Sequence, residues 1–123
     1  FYSPIHFFYL PIHFFDSPIH FFIHPSIFFF PEGTRSSDGR IQPFKKGAFR
    51  LAQEVNLPIL PITMSGSQNI CPARTLDVMP GTINVIIHKP IPADSDLEVS
   101  ELATQARDAI ISSLPEENRS DSP

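Results

Sequence analysis

Prolines stand at positions 4, 11, 18 and 25, and this strict period of seven decides what the first quarter of the chain can form. Each proline removes a backbone hydrogen-bond donor and clashes with the preceding helical turn. We therefore expect neither a coiled coil nor a membrane-spanning helix, although residues 1–30 are long and apolar enough for the latter. No Lys or Arg precedes the apolar residues and no small-residue cleavage site follows them, so a signal peptide is not expected either.

The repeated unit reads Ser-Pro-Ile-His-Phe-Phe and gathers ten of the twelve Phe residues and both Tyr residues in residues 1–30. We interpret residues 1–30 as a low-complexity Pro/His/Phe heptapeptide repeat, residues 27–114 as a partial domain and residues 115–123 as a polar tail. A segment with this much exposed Phe is an aggregation hazard in water unless it is buried or lies on a lipid surface.

Histidines at positions 6, 13 and 20 raise the alternative of a metal site in the repeat. In an extended Pro-rich backbone seven residues span about 22 Å, so the three side chains could share an ion only if the segment folded back twice. The single Cys of the chain, Cys71, excludes an internal disulfide and a Cys-based zinc site. We expect neither a metal nor another cofactor.

After the repeat, β-type and helical apolar patterns alternate. Strands are predicted at residues 26–30, 58–64 and 82–88, and helices at residues 46–55 and 96–114. Pro61 predicts an edge position or a bulge for the second strand. Ser95 and Glu98 form a capping-box pattern before the second helix. The alternation predicts an α/β fold with a partial mixed, mostly parallel sheet flanked by helices.

Apolar spacing predicts which face of each element is buried. Strand 82–88 alternates apolar residues through Ile83, Val85 and Ile87, which is typical of a half-buried strand. Each helix carries one apolar stripe, formed by Ala48, Leu51, Ala52 and Val55 in the first and by Val99, Leu102, Ala103, Ala106, Ile110 and Leu114 in the second. The tail after Pro115 is polar, and we expect it to be mobile.

Opposite charges are segregated along the sequence. Residues 32–50 have a net charge of +3 and residues 93–123 a net charge of −6. The basic segment follows the first predicted strand, at the strand end where α/β proteins place ligand sites. Charge and position favour an anionic ligand over a solvated charged face. The overall charge of −4 disfavours a nucleic-acid partner.

The basic segment offers donors of several kinds that suit a phosphate. Gly33 allows a tight turn, and Thr34 and Ser36 each offer a hydroxyl. Arg35 can make a bidentate contact, and Lys45 and Lys46 lie at a predicted helix start. This set suits a phosphomonoester better than a carboxylate, although the chemistry alone leaves both open.

The sequence FPEGTRS at residues 30–36 resembles the signature block of the glycerolipid acyltransferases, the 1-acylglycerol-3-phosphate (lysophosphatidate) acyltransferase family. Later blocks of that family are resembled, in order, by DGR at 38–40, PFKKGAF at 43–49, LPILPI at 57–62 and the stretch from Gly81 to the Pro-Ile pair at 90–91. The resemblance covers about residues 28–114 and corresponds to the C-terminal half of the family's domain.

The resemblance implies transfer of a fatty acyl group from acyl-CoA or acyl carrier protein to lysophosphatidate, which forms phosphatidate in phospholipid biosynthesis. It also implies work at a membrane surface, on the cytoplasmic face. The acceptor's phosphate would be bound by Glu32, Gly33, Thr34 and Arg35, with Lys45 or Lys46 as a helper. A carboxylate does not bind phosphate directly, so the resemblance gives Glu32 a network role towards Arg35 or the glycerol hydroxyls.

The family's catalytic block, H-x-x-x-x-D, is missing from the sequence before Phe30. His13 and Asp16 are separated by two residues rather than four, and His88 follows the signature instead of preceding it. Loss of a general base alone typically lowers the rate by about 10²–10⁴. We therefore expect a family member without a catalytic residue of its own, inactive as this fragment, and whether the chain is an enzyme stays open.

Two alternatives remain. In the first, His13 and Asp16 form an unconventional catalytic pair, although in an extended strand these side chains would point to opposite faces. In the second, the chain is a non-catalytic phosphate- or lipid-binding remnant that uses Arg35 and is held on a membrane by its Phe-rich segment.

Overall fold

A computed structural model of the chain describes residues 7–11, 26–34, 36, 38–72, 75–94 and 96–119. In chain order the elements are β1 (Phe7–Pro11), β2 (Ser26–Ile27), α1 (Gly47–Glu54), β3 (Leu60–Ser65), α2 (Ser67–Ile70), β4 (Asn84–Ile87), α3 (Val99–Ser112) and a 3₁₀ turn (Glu116–Asn118). The predicted mixture of helices and strands is confirmed. None of the described helices has the length and apolar character needed to cross a bilayer.

The four described strands form one sheet in the order β2-β1-β3-β4, and each neighbouring pair is antiparallel. The prediction of a mostly parallel sheet is therefore not confirmed. The reason lies in the strand order. β2 and β3 run in the same direction, as a crossover through α1 requires, but β1 lies between them. β1 comes from the heptapeptide repeat, and its register places Phe8 opposite Pro61 of β3.

β3 is an interior strand of the described sheet, so of the two alternatives predicted from Pro61 the edge position is wrong. The other alternative, a bulge, is found beside Pro61, because the pairing resumes at the bridge between Ile59 and Ile91 with one extra residue on the side of β4. Pro61 accepts a hydrogen bond of 3.0 Å from the N–H of His88, just beyond the end of β4. The N–H that proline lacks would have donated to His88 in this same pair of residues. The ladder therefore loses one hydrogen bond beside the bulge, where the regular pairing is already interrupted.

The predicted elements differ in their bounds from those observed, most clearly in the first strand, the second helix and the loop between β3 and β4. The strand predicted at 26–30 ends after two residues, and Phe28 and Phe30 beyond it are more than half exposed. The helix predicted at 96–114 begins at Val99, with Glu98 as its N-cap residue in extended conformation. Ser95, the other half of the predicted capping box, lies outside the described residues. The predicted loop between β3 and β4 contains the short helix α2.

The hydrophobic core lies between α1, α3 and the segments that lead into the sheet. From α3 it takes the predicted stripe, of which Leu102, Ala103, Ala106, Ile110 and the following Leu114 are buried. From α1 it takes Phe49 and Ala52, whereas Val55 of the predicted stripe is exposed. Ile41, Leu57, Ile59 and Ala93 complete it. β3 turns polar residues inward, and Thr63 donates a hydrogen bond of 3.3 Å to the carbonyl of Ile110.

The first residues of the polar tail are anchored, so the prediction of mobility is wrong for residues 116–119. Asn118 in the 3₁₀ turn is buried. Its side-chain amide donates to the carbonyl of Gly39 at 2.9 Å, and its backbone carbonyl accepts from the N–H of Ile41 at 3.1 Å. The tail therefore fixes the basic loop between β2 and α1.

Candidate functional site

A tight turn follows β2, and we name residues 31–34 the elbow. The N–H of Gly33 donates to the carbonyl of Phe30 at 3.0 Å and closes the turn. Gly33 has a φ of +66°, in the left-handed region that a side chain would strain. The carbonyl of Pro31 accepts a hydrogen bond of 2.7 Å from the N–H of Lys45, which ties the elbow to the residues before α1.

Glu32 is 4% exposed, and its buried carboxylate links the start of the basic loop to a later part of it. Its Oε2 atom accepts a hydrogen bond of 2.7 Å from the backbone N–H of Gln42. Burying a carboxylate is costly unless such donors replace the water that it loses. One partner of Glu32 is thus the loop backbone, and Arg35, the partner that the resemblance implied, lies outside the described residues. A buried carboxylate also leaves the outer face of the elbow open to an anion.

Lys45 lies across the outer face of the elbow. A Cβ atom placed on Gly33 would be 3.0 Å from Cδ, Cε and Nζ of Lys45. The absence of a side chain at Gly33 is therefore what allows the ammonium group to reach the elbow. Thr34, next to it, is exposed. The structure brings together Gly33, Thr34 and Lys45 as one polar, cationic surface.

Lys46 points to a different place from Lys45. It lines an open groove of about 340 Å³ together with Arg107 of α3, and Pro43, Phe44 and Ala103 supply apolar walls. The sequence interpretation missed Arg107. The signal that could have found it is the polar stripe of Ser100, Thr104 and Arg107, spaced by four and three residues along α3.

Ser36 does not face a ligand, contrary to the prediction. It is buried, and its hydroxyl donates to Asp38 Oδ1, which also accepts from the N–H of Arg40 at 3.1 Å. The Ser36 hydroxyl, followed by the Arg40 N–H, lowers the pKa of the Asp38 carboxyl. This turn stabilises the middle of the basic loop.

The remaining candidates lie outside the described residues, including His6, His13 and His20 of the proposed metal site and Asp16 of the alternative catalytic pair. Among the residues that are described, no group of three His, Cys, Asp or Glu side chains could hold a metal ion.

Residues 24–65, from the end of the repeat through the elbow to the end of β3, match the model of the Acyltransferase family. A chloroplastic 1-acyl-sn-glycerol-3-phosphate acyltransferase of Brassica napus is 47% identical over 88 residues, 70% of this chain and 24% of the relative. The chain belongs to the lysophosphatidate acyltransferase family. Another lysophosphatidate acyltransferase, the human alpha protein, is 36% identical over 84 residues, 67% of this chain and 30% of the relative.

Among solved structures, the lysophosphatidate acyltransferase PlsC from Thermotoga maritima superposes with a TM-score of 0.61 and 30% sequence identity. The superposition covers 65% of this chain and 33% of that one. The chain thus spans between about a fifth and a third of the length of the relatives it matches.

His88 contacts the core rather than the elbow. Its Nε2 atom is 2.7 Å from Thr63 Oγ1, whose own proton can be directed to the Ile110 carbonyl. The Thr63 hydroxyl has a single proton, so Nε2 donates to Thr63 when that proton is directed to Ile110 and accepts it when it is directed to the imidazole. Burial lowers the pKa of His88 from its ordinary value of 6.5, because desolvation disfavours the imidazolium.

The free energy of unfolding is expected to fall as the pH drops below the pKa of a histidine in the unfolded chain, about 6.5. Since the folded state has the lower pKa, the unfolded state binds more protons in this window, and acid favours unfolding. The measurement is the urea midpoint at pH 7.5 and pH 5.5 for the parent chain and for His88→Gln, which keeps a donor for Thr63. We expect a smaller acid-induced drop in the variant. Equal drops would show that His88 does not couple folding to protons.

Proposed function

We propose that this chain carries the acceptor-phosphate site of a lysophosphatidate acyltransferase. The acceptor is lysophosphatidate, the donor acyl-CoA or acyl carrier protein, and the product phosphatidate. The observation that carries the proposal is the Lys45 side chain lying across Gly33, with no carboxylate of Glu32 exposed beside it. A phosphomonoester at the elbow would meet an ammonium group and the Thr34 hydroxyl, both on the outer face.

The rigidity of the elbow supports this role. Backbone bonds join Pro31 to Lys45, the Glu32 carboxylate joins the elbow to Gln42, and Asn118 fixes Gly39. A site whose donors are held in place loses little conformational entropy on binding. The family resemblance adds Arg35 as a bidentate partner for the phosphate.

The acyl-transfer step itself needs a base that takes the proton of the acceptor hydroxyl while its oxygen attacks the thioester carbonyl and the thiol leaves. No His in the sequence is followed by Asp five residues later. His88, the described histidine, is hydrogen-bonded to Thr63 in the core. We therefore propose that this chain binds the acceptor and does not turn it over.

The proposed place of action is the cytoplasmic face of a membrane. Phe28 and Phe30, directly before the elbow, are more than half exposed. Apolar side chains next to a phosphate site suit an acceptor whose head is charged and whose tail stays in the bilayer.

Lys45→Ala is expected to weaken the binding of a short-chain lysophosphatidate about tenfold, the usual effect of removing one charged hydrogen-bond donor. The measurement is isothermal titration calorimetry below the critical micelle concentration of the lipid. Arg50→Ala is the matched control, because Arg50 is an exposed cation on α1, five residues beyond Lys45 in sequence. We expect its affinity to equal that of the parent chain.

Equal affinities of the Lys45→Ala and Arg50→Ala variants would contradict the phosphate site. A thioester-release assay with lysophosphatidate and acyl-CoA tests the missing turnover separately. Thiol release above background by the parent chain would contradict inactivity, and its loss in His13→Ala would assign catalysis to the repeat.

A further inference from the structure

β4 is an edge strand whose side chains are exposed throughout. It pairs with β3 on one side and ends the order of the described strands on the other. Val85 is 55% exposed, Ile86 41% and Ile87 66%. Because neighbouring side chains of a strand point to opposite faces, both faces of β4 are open, and the predicted half-buried strand is not observed.

The hydrogen bonds to β3 show which backbone groups of β4 point outward. His88 donates to Pro61, and the same register pairs Ile86 with Thr63. In an antiparallel ladder, alternate residues direct both their N–H and their C=O groups to the same neighbour. Val85 and Ile87 therefore direct theirs away from β3, to the open edge.

The sequence around β4 lacks the features that usually protect such an edge. Residues 82–88 read TINVIIH and contain no proline, no glycine and no Asp, Glu, Lys or Arg. Natural sheets protect exposed edges with charges, prolines or bulges, and neutral β-branched segments of this length pair readily. Leu76, Val78 and Met79, in the preceding loop, add further exposed apolar surface.

A lipid surface does not suit this edge, because backbone N–H and C=O groups without partners are costly in hydrocarbon. A second β-strand satisfies them. We propose that β4 pairs antiparallel with β4 of a second copy of this chain, forming a dimer with a sheet continuous across a twofold axis.

The charge pattern favours a second copy as that partner. In the register centred on Ile86, Val85 of each copy lies opposite Ile87 of the other, and their outward backbone groups bond to each other. No like charges then face each other within the paired strands. Lys89, the first charged residue after β4, lies opposite Ile83 of the other copy, and the two Lys89 residues stand at opposite ends of the new pair.

The test is sedimentation velocity of the full chain across a dilution series, for which we expect a concentration-dependent dimer. Val85→Pro removes one outward N–H in each copy without touching the β3 ladder. It should raise the dissociation constant about tenfold or more. Val85→Thr is the matched control, because it keeps the N–H and the β-branched shape, and its dimer should persist.

Ile87→Lys provides a second variant in case proline disturbs folding, which circular dichroism will show. It keeps the backbone and places a charge on the edge, so it should also yield a monomer. A monomeric parent chain, or a dimer that persists in Ile87→Lys, would overturn the proposal. So would a monomeric parent that binds phosphatidylcholine vesicles through this edge and loses that binding in Ile87→Lys.

Discussion

Gly66→Ala should destabilise the chain by at least about 2 kcal/mol, because it combines backbone strain with a collision that side-chain motion cannot relieve. Gly66 has a φ of +93° between β3 and α2. A Cβ atom there would lie 2.4 Å from the carbonyl oxygen of Thr82, at the approach to β4. Relief therefore requires the two chain segments to separate, which weakens the β3–β4 pairing. The measurement is the free energy of unfolding in urea.

Gly47→Ala is the control for this substitution. A Cβ atom on Gly47 would have no heavy atom within 4 Å, and the residue opens α1 with an ordinary φ. Alanine is the better helix former, so stability should stay unchanged or rise by up to about 1 kcal/mol. Equal losses in the two variants would mean that the close approach of Gly66 to Thr82 does not limit stability.

The helices could be predicted from the sequence because their signal is local. The apolar residues of α3 recur every three or four positions within the helix itself, and the structure buries Leu102, Ala106 and Ile110 as that spacing requires. In α1 the spacing indicated the right residues for a helix but only part of the buried face, since Ala52 of the predicted stripe is buried and Val55 is exposed. The buried aromatic ring of Phe49 lies outside the predicted stripe, and its packing depends on α3, which is distant in sequence.

The strand order could not be predicted, because apolar alternation reports a strand and not its neighbour. The repeat was interpreted as low complexity, yet Phe7–Pro11 pair with β3 between two strands that the crossover would otherwise place side by side. The same limit explains β4. Alternation at Val85 and Ile87 predicted a buried face, but no described element covers either face.

The position of the basic loop could be predicted from the sequence, but which of its cations reaches the elbow could not. Lys45 and Lys46 are adjacent, and residue type cannot say which one reaches the elbow. The backbone bond between Lys45 and Pro31 decides it, since it places Lys45 over Gly33 and leaves Lys46 to the groove with Arg107. That bond depends on the turn after β2, so it is a tertiary feature.

Phe49→Ala is expected to cost about 3–5 kcal/mol, the usual effect of emptying a buried aromatic site. Phe49 is fully buried, and its ring lies 6.1 Å from that of Phe44 with an interplanar angle of 18°. A domain of this size has a total stability of only about 5–15 kcal/mol, so the substitution should remove a large fraction of that stability.

The same substitution should also weaken lysophosphatidate binding, because Phe44 directly precedes Lys45 and loses the stacked ring of Phe49. Val55→Ala is the matched control, since Val55 is an exposed apolar residue next to the same helix, and it should change stability by no more than about 0.5 kcal/mol. Urea denaturation and calorimetry on the two variants separate the effects. A Phe49→Ala variant that stays folded and binds with parental affinity would show that the core beneath α1 does not position Lys45.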